Sequence, residues 1–145
     1  MIAKIFKGVW FLSLLVTVGL FLYLYASLPE DVLLRDGDSA SAISRDTLFY
    51  SALILLALTN ASVLVVPRLI GHQLHFDVWI SGLVASLNLF MTVALQFVGL
   101  INSQEKYDYQ PLGVVIYGTL GLFIVWLLWW PTFTLFKGFF RKQAI

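Results

Sequence analysis

Residues 78–101 run for 24 positions without a proline or a charge, and this single stretch limits the chain to few possible folds. At ~1.5 Å per residue a helix of that length spans a hydrocarbon core of roughly 30 Å with a turn to spare. Three further apolar runs, 9–28, 47–66 and 112–130, come within a residue of the roughly 20 needed to cross. The expected fold class is an all-α membrane protein: four transmembrane helices in an up-down-up-down bundle, with a short C-terminal interfacial helix. Short polar loops at 67–77 and 102–111 make successive spans antiparallel neighbours.

With 145 residues, 60% of them hydrophobic and 12% charged, and a mean hydropathy of +0.90, the chain lies well outside soluble usage. Residues 1–145 form a single membrane domain. The longest polar segment, the outer loop 29–46, is too small for a core of its own but long enough for a hairpin or a docking loop. No cysteine is present, which excludes disulfides, iron–sulfur ligation and thiolate zinc sites. Lys4 and Lys7 precede the first run as in a signal peptide. Its length and Leu24, two positions ahead of Ala26, make it a retained signal anchor instead.

Charge orients the spans. Lys4, Lys7, Arg68, Lys137, Arg141 and Lys142 fall on one side, against Arg35, Arg45 and Lys106 on the other, so the positive-inside rule places both termini and the 67–77 loop in the cytoplasm. All the acidic residues but Asp77 fall on the outer side. Every Trp lies in the cytoplasmic half and every Tyr in the outer half, as rings anchoring two interfaces would. The expected location is a bacterial inner membrane. A net charge of +1 and the lack of a basic patch argue against nucleic acid as a partner.

Pro29 ends the first helix and forces Leu28 out of helical geometry. Asp36-Gly37 is a hairpin-turn signal, and Ser44 or Asp46 can cap the second helix. Pro67 ends that helix. After Pro131, Phe133, Phe136, Phe139 and Phe140 recur at helical spacing against Lys137 and Arg141, the pattern of a helix lying on the cytoplasmic leaflet.

Candidate chemistry is sparse. His72, His75 and Asp77 offer too few ligands for a metal site and read as headgroup-level loop residues. Glu30, Asp31, Asp36 and Asp38 lack calcium-loop spacing. The spans contain no carboxylate or His for a proton relay, and no nucleophile has a partnered base. Neither an enzyme nor a bound cofactor or metal is therefore expected.

The most specific signal is a stripe on the third span. Ser81, Ala85, Asn88, Thr92, Gln96 and Gly99 step by 4, 3, 4, 4 and 3 along one face. Small residues admit close helix approach and amides bond across it; a polar passage lined by Asn88 and Gln96 is the alternative. Asn60 and Asn88 lie about 5 Å and about 2 Å to the cytoplasmic side of their span centres, matched in depth for a hydrogen-bonded pair. On the fourth span Gly113, Tyr117 and Gly121 share a second close-packing face.

The stretch Leu28-Pro29-Glu30-Asp31-Val32, followed by Gly37 and by Ser44-Arg45 with Leu48-Phe49, resembles the loop after the first helix of SdpI-like bacterial multi-pass membrane proteins, many of unknown function. That family carries a His and an aromatic residue where this chain reads Leu33-Leu34-Arg35. The resemblance implies an immunity or stress-sensing role. The residues themselves favour a non-catalytic accessory subunit of a larger inner-membrane complex, respiratory or export-related. Its partners would be other integral membrane subunits, lipid, and a periplasmic-side protein docked on loop 29–46. A small homo-oligomeric transporter or channel is the other alternative. Cysteines introduced at Ser39 and Gln104 should be labelled from outside intact cells and one at Gln73 should not; the reverse pattern would reject the orientation.

Overall fold

The computed structural model describes residues 1–34, 41–71, 73–103 and 110–143, with residues 110–111 and 135–143 described as backbone only. Helix α1 covers Ile2–Ser27, the strands β1 and β2 cover Asp31–Leu33 and Ala42–Ser44, and helices α2, α3 and α4 cover Arg45–Ile70, Leu74–Ile101 and Gln110–Gln143. All four helices are long and apolar enough to cross a membrane. Their many exposed Leu, Ile and Val side chains face the surroundings, which costs nothing where those surroundings are acyl chains.

Local chemistry sets the element ends. Leu28, before Pro29, is extended at φ −76° and ψ 144°, and Ser44 Oγ accepts from the Thr47 backbone N–H at 3.2 Å to cap α2. The outer loop folds back as an antiparallel pair with Val32 opposite Ile43; the Asp36-Gly37 turn lies outside the described residues. Asn102, at the end of α3, extends this ribbon. Its Oδ1 accepts from Leu33 N at 2.8 Å and its Nδ2 donates to Leu33 O at 2.9 Å, as a third strand's peptide would.

Pro29 lies beyond the end of α1 as expected, whereas Pro67 and Pro131 lie inside helices. Proline removes one N–H and crowds the turn before it, but its fixed φ suits a helix and leaves the following residues free to continue. Thus α2 runs on to Ile70 and stops at Gly71, whose φ of 90° only glycine adopts easily. The connection expected at 67–77 shrinks accordingly, and Leu74–Asp77 form the first turn of α3. Likewise α4 passes through Pro131 as one helix of 34 residues, where a separate interfacial helix was expected. Thr132 donates to Leu128 O and Thr134 to Trp130 O, both in the turn before that proline.

Contacts define the arrangement. Ser13 and Thr17 meet Asn88 and Thr92, with numbering that rises together, so α1 and α3 are parallel. Trp10 meets Asn60 and Tyr25 meets Asp46, so α2 runs against α1. His75 faces Phe133 and Trp79 faces Trp126, so α4 runs against α3. One core at the hairpin end joins Phe21, Leu24, Val32, Ala52, Leu56 and Leu95; a second, toward the N-terminal end, joins Trp10, Val63, Val84 and Ala85. Helix α3 touches all three others, whereas no residue in the membrane window of α4 is buried, against 22% of that window in α2 and in α3.

The α3–α4 contact turns on one glycine. Trp79 Nε1 donates to Trp126 O and Trp126 Nε1 donates to Trp79 O, each at 2.9 Å, so two indoles clasp the opposite backbones. The Trp126 ring lies flat over Gly82, where any Cβ would overlap it. Gly82→Ala should therefore lower the melting temperature and loosen α4, whereas Gly113→Ala and Gly121→Ala, with open space at the Cβ position, should leave both unchanged; scanning calorimetry in detergent would distinguish them.

Candidate functional site: a buried amide and hydroxyl network

Between the two apolar cores lies a layer of polar side chains from three helices. Asn60 Nδ2 donates to Asn88 Oδ1 and Asn88 Nδ2 donates back to Asn60 Oδ1, both at 3.0 Å. Each asparagine spends its second N–H elsewhere: Asn60 on Leu56 O at 2.9 Å, Asn88 on Ser13 Oγ at 3.1 Å. The remaining acceptor site of Asn60 Oδ1 takes the indole N–H of Trp10 at 2.8 Å. Asn60 thereby fills its full capacity of two donors and two acceptor sites. Asn88 is 0% exposed and Asn60 6%.

The layer continues along α1 and α3. Ser13 Oγ donates to Trp10 O at 2.7 Å, and the Thr17 and Thr92 hydroxyls lie 2.9 Å apart, both within reach of Asn88 O. Thr17 is fully buried. Nothing in this set titrates near neutrality, and its hydroxyls are committed to carbonyls, amides and one another rather than to a base. Its chemical capacity is to fix three helices in register, because an unsatisfied amide in hydrocarbon costs several kcal/mol.

The other stripe residues are less uniform. Ser81 is fully buried and donates to Asp77 O at 2.7 Å, Ala85 joins the second core, and Gly99 receives the tip of Leu24. Gln96 is exposed and lines a recess of about 440 Å³ at the hairpin end with Leu20, Tyr23 and Asn102. Among the described residues Asn88, fully buried, and Gln96, exposed, line no common passage. On α4, Gly113 and Gly121 have no described neighbour within 4 Å of a Cβ position and Tyr117 is 75% exposed; that face meets no other helix among the described residues.

Five contributors were not anticipated from the sequence. Trp10, Ser13 and Thr17 form the α1 side of the network, and their 3 and 4 spacing in an apolar run was the available signal. Asp77, read as a loop residue, sits in the first turn of α3 at 8% exposure, with Lys7 Nζ 3.9 Å from its Oδ2. Its being the one acid on the basic side pointed to such a pairing. Gly82 carried no sequence signal of its own. His75 lies on α3 beside Phe133, while His72 lies outside the described residues. Among the described residues no group of three His, Asp or Glu side chains is placed to hold a metal ion. Comparisons with protein-family models, curated proteins and solved structures found no match for this chain.

A double-mutant cycle tests the amide pair. Asn60→Leu and Asn88→Leu should each destabilise the protein by about 1–2 kcal/mol, and the double variant by less than their sum, with a coupling of about 0.6–1.7 kcal/mol. Strictly additive losses in unfolding measurements would show that the reciprocal bonds carry no energy of their own.

Proposed function

We propose that this protein is a non-catalytic accessory subunit of a larger bacterial inner-membrane assembly, respiratory or export-related, with both termini in the cytoplasm. The observation that carries this reading is the asymmetry between its helices. Three of them, α1, α2 and α3, share a satisfied polar layer that contains no acid, base or reactive nucleophile. The fourth leans on α3 along one seam and presents its remaining surface, with the Gly113–Gly121 face and Tyr117, outward. A helix so little covered by its own chain is suited to packing against another subunit, and small residues are what close approach between membrane helices requires. The β1–β2 pair, held to α3 by Asn102, offers a surface for a periplasmic-side partner.

A photoreactive side chain at Tyr117 should crosslink one integral membrane protein in fixed ratio when the protein is purified gently from cells. Deleting the gene should destabilise that assembly and reduce its reaction without changing the chemistry. Crosslinks only to a second copy of this chain, together with ion or solute flux in liposomes holding this protein alone, would overturn the reading in favour of a homo-oligomeric channel.

A further inference from the structure

The helix end that carries the N-terminus has a recess of about 250 Å³ between α3 and α4, lined by four indoles, Trp79, Trp126, Trp129 and Trp130, with Phe133 and His75. This goes beyond an interfacial belt of separately anchored rings, because its walls are held in place. Trp79 and Trp126 are fixed by their two exchanged hydrogen bonds. Phe76, 8% exposed, wedges against both Trp79 and Trp130 at centroid distances of 5.5 and 5.8 Å. Trp79 and Trp130 lie 6.3 Å apart.

The chemistry of such a recess is selective. Aromatic rings present negative faces that attract organic cations, and among the described side chains neither Lys nor Arg lines the recess. Its depth in the membrane narrows the source of the cation. His75 and Val78 belong to the first turns of α3, which begins at Leu74, so the recess sits at the end of that helix rather than at mid-span. Of the residues lining it, Trp129 and Phe133 are 61% and 44% exposed. A ligand arriving from the side, at headgroup height, is a phospholipid.

We propose that the Trp79–Trp126–Trp130 recess binds the ammonium group of a phospholipid headgroup, with Trp129 and Phe133 closing over it from the bilayer side. The inference is independent of any partner subunit.

Native mass spectrometry of the full chain, equilibrated in detergent with equal amounts of phosphatidylethanolamine, phosphatidylcholine and phosphatidylglycerol, tests it. The two ammonium lipids should be retained on the order of fivefold over phosphatidylglycerol, as expected for about 1 kcal/mol of cation–π attraction. Trp129→Leu should abolish that preference at an unchanged melting temperature, and Phe133→Leu serves as the second variant if Trp129→Leu unfolds. Excess tetramethylammonium should displace the retained lipid. Equal retention of phosphatidylglycerol, or a preference that survives in a folded variant, would overturn the assignment. Saturable tetramethylammonium binding without any lipid preference would also overturn it, and would point to a soluble cation instead.

Discussion

The reciprocal bonds between Asn60 and Asn88 are the constraint on which the rest of this structure depends. Inside a membrane, apolar side chains gain little by leaving lipid for one another, so Leu and Val contacts cannot choose one helix arrangement by hydrophobicity. Amides can, because each must find donors and acceptors at one depth. Asn60 uses every hydrogen-bonding position it has, on α1, α2 and α3 together. A shift of any one helix by a residue would break several of these bonds at once.

Packing then follows from that register. With Asn88 set against Ser13 and Thr17, Leu24 is carried to Gly99, and Leu33 is brought to Asn102 at the hairpin end. Toward the opposite end, Ala85 reaches Trp10 and Val63. Stacking of Phe21 on Phe49, at a centroid distance of 4.8 Å, closes the α1–α2 contact above the amides. The α3–α4 contact is of another kind, resting on shape and on two indole N–H groups rather than on a shared polar layer.

Much of this was legible in residue patterns, for identifiable reasons. Span number and length follow from hydropathy alone, because only a helix satisfies its own backbone in hydrocarbon. The Asn60–Asn88 contact could be anticipated because both amides are rare in apolar runs and their depths match. Pro67 and Pro131 were misread because proline acts on the turn before it and does not forbid the turn after it. The α1 partners were missed because Ser and Thr bond their own helix backbone so readily that they pass as apolar. Gly82 could not be singled out, since the indole that needs it comes from a helix 44 residues further along the chain.

The parallel pairing of α1 with α3 has a consequence for assembly. The most extensive helix contact in the molecule joins segments separated by the whole of α2. When the first two helices have entered the membrane, Thr17 and Ser13 face only their own backbone and Asn60 holds a single interhelical partner, Trp10. Asn88 then arrives on the third segment and completes the set in one step. The polar layer is thus complete only with α3 in place, and the indole seam that holds α4 lies on a surface that α3 provides.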